Sequence, residues 1–117
     1  MENKIEEYFQ AFSDKDVDKL EKLYDDDVSL RDWLTSAEGK EAVIESNQRL
    51  FDAVSTVDIK LKNMIWRRGR HDVFTASCEI DINLKHNDGT EDKLLVVDII
   101  EMKDDRIKEI RAYLGNV

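Results

Sequence analysis

Residues 94–115, LLVVDIIEMKDDRIKEIRAYLG, predict two strands joined by a turn. Six of the seven side chains in LLVVDII (94–100) are aliphatic, which is typical of a buried strand. The polar cluster Asp104–Asp105–Arg106 predicts the turn, and Ile107–Leu114 forms the last strand. The exception in the apolar run is Asp98. A carboxylate in such surroundings loses hydration, which destabilises the fold unless the group is paired, hydrogen-bonded or protonated.

The stretch before this hairpin continues the strand pattern. Residues 57–65 alternate with a period of two and predict a half-buried strand. Its inner face is expected to carry Val57, Ile59, Leu61, Asn63 and Ile65. Residues 74–84 predict the next strand. Turns are expected at Arg68–His71 and at His86–Gly89, where Asp-Gly is a strong hairpin signal. The C-terminal half is therefore predicted to be an antiparallel sheet.

Three helical patterns precede the sheet. Apolar side chains at helical spacing predict helices over residues 5–12 and 17–24, and a third from about Gly39 to Val54. The acidic run Asp25–Asp27 is expected to end the second helix, and Val28–Asp32 alternates like a short strand. Helices placed before a run of antiparallel strands indicate an α+β fold in which the helices cover one face of a curved sheet.

Composition limits the classes of protein that the chain can represent. Its 117 residues fit a single domain (1–117), and 41% hydrophobic residues suffice for a globular core. The net charge of −9 argues against nucleic acid or an anionic membrane as a partner. No apolar run reaches the roughly 18 residues of a spanning helix, and the N-terminus does not resemble a signal peptide. The single cysteine, Cys78, allows no internal disulfide, and a reducing cytoplasm is the expected location.

Four polar side chains interrupt the apolar pattern and are expected to point inward. Alternation places Asp32 on the inner side of the short strand and Asp98 on the inner side of the strand at 94–102. Tyr8 lies on the apolar stripe of the first helix, and Asn47 on that of the third. Polar groups that converge from four separate elements would line a cavity. The sequence therefore predicts a pocket for a small molecule.

Three segments resemble the nuclear transport factor 2-like superfamily: YFQAFSDKDVDKLEKLYDDDVSLRD (8–32), GKEAVIE (39–45) and the C-terminal hairpin (94–115). The nearest sub-group is the SnoaL-like polyketide cyclases and the bacterial ketosteroid isomerases. The resemblance implies a cone-shaped α+β fold. In it, three N-terminal helices pack on a curved, mostly antiparallel sheet and enclose a pocket, often in a homodimer. This superfold hosts isomerases, cyclases, dehydratases, epoxide hydrolases and scaffolds without activity.

The resemblance to ketosteroid isomerases extends to three residues. Tyr8 corresponds to the oxyanion-binding tyrosine, Asp32 to the general base, and Asp98 to the carboxylic acid that donates a second hydrogen bond to the oxyanion. The implied reaction removes a proton α to a carbonyl, while Tyr8 and protonated Asp98 hold the enolate oxygen. The resemblance implies no cofactor and no metal.

Three further positions are expected to line or support the pocket. Tyr24 matches a supporting tyrosine of some isomerases. Asn47 falls where some members carry a second tyrosine, and is expected to be a satisfied core amide or a partner of Tyr8 or Tyr24. Trp33 stands where the isomerases usually carry proline, and its indole is expected to reshape or close the entrance.

Structural roles remain open for the same residues. Asp98 could pair with Arg111 on the neighbouring strand, and Asp32 could cap a turn or the following helix. Tyr8 alone would fit a core tyrosine. An epoxide hydrolase needs an arginine between two acids, which Arg111 supplies only if it faces the pocket. A dehydratase of this superfamily needs an inward histidine, and none is expected.

The other reactive side chains are expected to have ordinary structural roles. His71 and His86 fall in predicted turns and should be solvated, and two distant histidines do not make a metal site. Cys78 is expected to be a small core residue rather than a nucleophile. The basic segment Trp66–Arg70 predicts a solvated turn, with binding of an anionic ligand or partner as the alternative.

Two functions from different classes follow from the sequence. The first is an isomerase or cyclase that acts on a hydrophobic carbonyl compound with Asp32 as general base. The second is a ligand-binding or dimerisation module without activity. A homodimer would use the outer face of the sheet, where polar side chains alternate with the core set: Thr75, Ser77, Glu79 and Asp81.

Overall fold

The computed structural model describes residues 1–115, which form three helices and six strands. The helices are α1 (Glu2–Ser13), α2 (Val17–Leu23) and α3 (Lys40–Ala53). The strands are β1 (Tyr24–Arg31), β2 (Ser36–Glu38), β3 (Val54–Arg68), β4 (Phe74–His86), β5 (Glu91–Lys103) and β6 (Arg106–Leu114). A short 3-10 turn, Arg70–Asp72, joins β3 to β4.

The six strands form one sheet in the order β2-β1-β6-β5-β4-β3. Neighbouring strands are antiparallel except for β1 and β6, which are parallel, so the sheet is mixed. The helices contact the sheet through α1 on β3 and through α3 on β1, β2 and β3. The prediction of an α+β fold with three helices on a sheet is confirmed. The fully buried core includes Ile5, Leu20, Val28, Val43, Phe74, Ile100 and Ile107.

The acidic run Asp25–Asp27 lies inside β1, so the prediction that it ends the second helix is wrong. The helix ends at Leu23, and Tyr24 is already extended, with φ −79° and ψ 137°. Tyr24 pairs with Ile107 of β6, and Lys108 Nζ donates to Asp25 Oδ1 at 3.2 Å. Contacts with a strand more than 80 residues away therefore determine the extended conformation of this segment. The local sequence alone does not reveal such contacts.

A register shift between Leu61 and Asn63 changes the inner face of β3. Before the shift Val57, Ile59 and Leu61 point inward as predicted. After it Met64 is half-buried opposite Cys78, whereas Ile65 is 68% exposed. The prediction that Asn63 and Ile65 continue the inner face is therefore wrong, because a bulge moves every later side chain to the other face.

Two shorter features also differ from the predictions. The edge strand β2 was not expected, since three residues with only Ala37 buried carry too little pattern. The segment Trp66–Arg68 belongs to β3 rather than to a turn, and the Trp66 ring stacks on Phe74 at a centroid distance of 5.2 Å. The turn begins only at Gly69, and the arginines of this segment are exposed.

Lys15 joins the start of the chain to the end of α3. Its backbone lies in the left-handed region between α1 and α2, with φ 54°. Its side chain reaches the carbonyl groups where α3 runs into β3: Nζ donates to Phe51 O at 3.0 Å and also to Val54 O. The last carbonyls of a helix have no partner within the helix, so the ammonium group satisfies acceptors that would otherwise lose hydration.

Replacing Lys15 with methionine keeps the length of the side chain but removes both bonds. We expect Lys15→Met to lower the free energy of unfolding by about 1–3 kcal/mol, because charge-assisted bonds to partly buried carbonyls are lost. Urea unfolding followed by circular dichroism measures the change. Lys19→Met, at an exposed position in α2, is the control. Equal stabilities of the two variants would contradict this role of Lys15.

Candidate functional site

A cavity of about 490 Å³ lies between the helices and the inner face of the sheet. The four inward polar residues singled out from the sequence, Tyr8, Asp32, Asn47 and Asp98, all line it. Most of the remaining wall is aliphatic and includes Leu50, Ile59, Ile80, Ile82, Leu94 and Val96. An apolar wall with a few convergent polar groups is typical of sites that bind small molecules.

Asp98 carries its carboxyl group into the apolar part of this cavity. It lies in the middle of β5, where it pairs with Cys78 of β4 and Ala112 of β6, and it is only 7% exposed. Burial raises the pKa of Asp98 from its ordinary value of 3.8 to about 7, and the negative charge of Asp32 contributes. The carboxyl is therefore neutral over much of the range below pH 7, where it can donate a hydrogen bond.

Arg111 does not neutralise Asp98, so the structural interpretation of Asp98 as its ion-pair partner is wrong. Arg111 pairs across the sheet with Ile99, the neighbour of Asp98, and therefore points to the opposite face. There Nη1 lies 2.7 Å from Glu101 Oε2 and 2.7 Å from Glu109 Oε1. These bonds raise the pKa of Arg111 and lower that of Glu109.

Asp32 combines the two roles that the sequence left open. It follows the last residue of β1, and its Oδ1 accepts from Leu34 N at 2.8 Å and from Thr35 N at 2.7 Å. Its own N–H donates to Thr35 O at 2.9 Å, which closes the turn. Both side-chain bonds engage Oδ1, so the turn orients the carboxylate and leaves Oδ2 as the oxygen that can meet a ligand. The capping role and the position in the cavity are compatible.

Tyr8 projects from α1 into the same cavity. Its ring packs on Phe12 and Tyr24, with centroid distances of 6.0 and 6.2 Å. Burial raises the pKa of Tyr8 well above its ordinary value, and neighbouring Tyr24 and Asp98 raise it further. The phenol therefore keeps its proton throughout the neutral range and can act as a donor.

Tyr24 and Asn47 form a hydrogen bond that stabilises one wall of the cavity. Tyr24 is fully buried and does not line the cavity, whereas Asn47 does. The Tyr24 hydroxyl donates to Asn47 Oδ1 at 2.6 Å, so Tyr24 is the partner of this core amide. Since the bond joins β1 to α3, it fixes the helix that forms one wall of the cavity relative to the sheet.

Trp33 lies in the loop between β1 and β2 and lines the cavity next to Asp32. Its side chain is partly exposed, and Leu34 beside it is largely exposed. The indole therefore stands at the cavity opening.

Sequence reasoning missed five polar residues that line the cavity: Thr35, Ser46, Arg49, His86 and Asp92. His86 is the last residue of β4 rather than part of a solvated turn, so that prediction is wrong. Its Nε2 lies 2.7 Å from Asp92 Oδ2. The signal was present in the alternation: His86 continues the inner series of β4 that contains Cys78, Ile80, Ile82 and Leu84.

The remaining reactive side chains have the structural roles expected of them. His71 lies exposed in the 3-10 turn. Cys78 is fully buried, and burial raises the pKa of its thiol to about 12, which keeps it in the unreactive protonated form. Within residues 1–115, no three His, Cys, Asp or Glu side chains are grouped to hold a metal ion.

Residues 5–110 match the family model of the SnoaL-like domain. The chain belongs to the SnoaL-like domain family. A comparison with curated proteins finds no significant match. In the part of the chain that the structure describes, no helix is long and apolar enough to cross a membrane. The SnoaL-like fold is typical of proteins that hold a small molecule in a pocket.

Solved structures share the fold at low sequence identity. An LEH-like epoxide hydrolase from M. tuberculosis is 18% identical with a TM-score of 0.81, covering 97% of this chain and 80% of its own. A protein from Shewanella denitrificans assigned as a SnoaL-like polyketide cyclase is 16% identical with a TM-score of 0.77, covering 97% and 89%. A nuclear transport factor 2-like protein from Salmonella enterica is 12% identical with a TM-score of 0.87, covering 98% and 88%. Together with the family match, these structures confirm the predicted superfamily. Because the sequence identities are this low, the structural matches show the fold and not the function.

The raised pKa of Asp98 predicts a pH-dependent stability. Between its ordinary value of 3.8 and about 7 the unfolded chain ionises this carboxyl while the folded protein keeps it protonated. The folded state then binds more protons, so stability falls as pH rises through this window and is constant above it. The loss amounts to about 1.4 kcal/mol for each unit between the two pKa values, a few kcal/mol in all. Asp98→Asn cannot ionise and should lack this loss.

Urea unfolding of both proteins at pH 4 and pH 8 measures this effect. The free energy of unfolding of Asp98→Asn should gain a few kcal/mol relative to the wild type between the two pH values. Asp58→Asn, at an exposed position on β3, is the control and should follow the wild type. A parallel pH dependence in Asp98→Asn and the wild type would show that Asp98 is ionised in the fold.

Proposed function

We propose that the cavity binds a hydrophobic carbonyl compound and catalyses a proton transfer without a cofactor, as an isomerase or a cyclase. Asp32 removes the proton α to the carbonyl, and Tyr8 and neutral Asp98 donate hydrogen bonds to the enolate oxygen. The observation that carries the proposal is the buried Asp98 carboxyl, with its pKa raised to about 7, in the same cavity as Asp32 and Tyr8.

The two donors suit the charge that develops in this reaction. Removal of an α proton moves negative charge to the carbonyl oxygen, and donors fixed in an apolar cavity stabilise that charge more than water does. Tyr8 keeps its proton, and Asp98 keeps its own below about pH 7. Above that pH an ionised Asp98 would repel the enolate. Turnover should therefore decline as the pH rises through about 7.

The two aspartates differ in the way that an acid and a base in one site require. Asp32 lies in a half-buried turn where two backbone N–H groups orient one of its oxygens, so the other can accept a proton. Asp98 is buried in a strand, and the negative charge of Asp32 further disfavours its ionisation. The buried carboxyl that keeps its proton is therefore the donor, and the carboxylate with a free oxygen is the acceptor.

An epoxide hydrolase mechanism has less support in this cavity. Such an enzyme needs an arginine between its two acids, and Arg111, the candidate for that role, points to the opposite face and pairs with Glu101 and Glu109. The position of Arg111 therefore gives no support for the epoxide hydrolase activity that is named for the M. tuberculosis protein.

Exchange of α protons tests the proposal without a known substrate. A panel of cyclic, aryl and straight-chain ketones in D₂O is followed by mass spectrometry for deuterium uptake. We expect Asp32→Asn to slow protein-dependent exchange by about 10²–10⁴-fold, since it removes the general base but keeps the shape of the turn. Asp27→Asn, at an exposed position on β1, is the control and should exchange as the wild type does.

The same panel separates the enzyme from the alternative function. Ketones that bind the cavity but exchange no faster than in buffer would support a ligand-binding module without activity. Asp32→Asn exchange equal to that of the wild type would exclude Asp32 as the base.

We further propose that the chain forms a homodimer through the outer face of the sheet. On this face, beside the polar residues of β4, the outward side chains of β5 and β6 form an apolar strip. Its members are Leu95, Val97, Ile99 and Tyr113. Leu95 is 45% exposed and Tyr113 50% exposed. A strand that is apolar on both faces is typical of one that is covered on both sides. The strip supports a second copy as the cover.

Leu95→Glu should convert a dimer into a monomer, because it places a charge in the apolar strip. Light scattering after size-exclusion chromatography gives the mass in solution. The matched control is Leu34→Glu, the same change at an exposed leucine in the loop before β2. A monomeric wild type would contradict the dimer.

A further inference from the structure

The cavity has polar groups at both ends, and only the end with Asp98 takes part in the proposed proton transfer. Asp98 lies on the inner face of β5, and Asp92 lies six positions earlier on the same face, roughly 20 Å away along an extended strand. His86 stands beside Asp92 at the end of β4. Between the ends, the wall is formed by Leu94, Val96, Ile80 and Ile82. The cavity is therefore long and apolar, with polar ends.

The hydrogen bond to Asp92 determines which ring nitrogen of His86 carries the hydrogen. Asp92 Oδ2 lies 2.7 Å from His86 Nε2, and a carboxylate can only accept, so Nε2 carries the hydrogen. In the neutral ring Nδ1 is then an acceptor that Asp92 does not engage. The backbone of His86 is fixed as well, because His86 N donates to Thr90 O at 2.8 Å across the hairpin. His86 can therefore accept a hydrogen bond from a ligand.

The charged groups around His86 disfavour an anionic ligand. Arg49 of α3 also lines the cavity, but its Nη1 lies 3.2 Å from Glu45 Oε1, so its charge is already paired. The Asp92 carboxylate adds a negative charge next to His86. A neutral O–H group, which donates to Nδ1, suits these surroundings better than a carboxylate or a phosphate.

We propose that His86, oriented by Asp92, binds a hydroxyl group at the far end of an elongated, otherwise hydrophobic ligand. The substrate class is then a hydroxyketone whose carbonyl lies at Tyr8 and Asp98. The assignment of the carbonyl end rests on the proposed function. His86 contacts the ligand and sets specificity, and Asp92 is a positioning residue that fixes the ring.

Three series of straight-chain methyl ketones test this, ending in a methyl, a hydroxyl or a carboxylate group and differing in chain length. Binding is measured by calorimetry in Asp32→Asn, so that turnover does not interfere. We expect hydroxyl-ended ketones to bind better than methyl-ended ones only where the chain spans both ends. His86→Leu should reduce that preference about tenfold, the value of one hydrogen bond in a binding constant.

Matched variants separate recognition from a change in packing. His86→Gln keeps an acceptor and should retain part of the preference. Asp92→Asn should weaken binding of the hydroxyl-ended ketone but leave that of the methyl-ended ketone unchanged, because an amide N–H can donate to Nε2 and leave the ring hydrogen on Nδ1, whereas the wall is intact. His71→Leu, at the other histidine of the chain, should change neither.

The outcomes distinguish this inference from the proposed function. An unchanged hydroxyl preference in His86→Leu, or tightest binding of the carboxylate series, would overturn the role of His86 alone. A His86-dependent hydroxyl preference in a protein that exchanges no α protons would support His86 and overturn the catalytic proposal. Absence of binding by every ketone would overturn both.

Discussion

Burial of the Asp98 carboxyl is the constraint on which the site depends. Apolar neighbours on β4, β5 and β6 surround it, and Arg111 on the neighbouring strand points to the opposite face, where it pairs with Glu101 and Glu109. The group responds by keeping its proton up to about pH 7, where an exposed aspartate would be ionised. A core built for stability alone would carry an aliphatic residue here, since a raised carboxyl pKa costs stability at neutral pH. In the proposed reaction the same proton becomes a hydrogen-bond donor.

Different structural contacts hold the other site residues in position. Asp32 closes the turn after β1, and its second oxygen stays available to a ligand. Tyr8 belongs to an aromatic cluster with Phe12 and Tyr24, and the Tyr24–Asn47 bond ties β1 to α3. Each polar group therefore has a fixed position before any ligand arrives. Such preorganisation is what a donor pair facing a developing charge requires.

Much of this arrangement could be predicted from the sequence, because it follows from side-chain periodicity. The spacing of apolar residues located the helices and the long strands, and alternation placed Asp32 and Asp98 in the cavity. Prediction failed where a distant contact or a local irregularity determines the structure. Tyr24 pairs with Ile107 of β6 instead of continuing the helix, and the bulge after Leu61 reverses the alternation of β3. His86 was missed for another reason. It continues the inner series of β4, but a neighbouring Asp-Gly hairpin signal suggested a turn instead.

The register of β5 against β6 separates two kinds of chemistry that the same residues could support. Asp98 pairs with Ala112 and Ile99 with Arg111, so the acid points into the cavity and the arginine points away. Successive side chains of a strand alternate between faces, so a shift of β6 by one residue would bring the guanidinium to the side of Asp98. The acid would then be an ionised member of an ion pair and could not donate. The Glu101–Arg111–Glu109 bonds on the outer face oppose that shift, since they hold Arg111 on its own side. An ion-pair network on one face of the sheet thus helps to keep a neutral acid on the other.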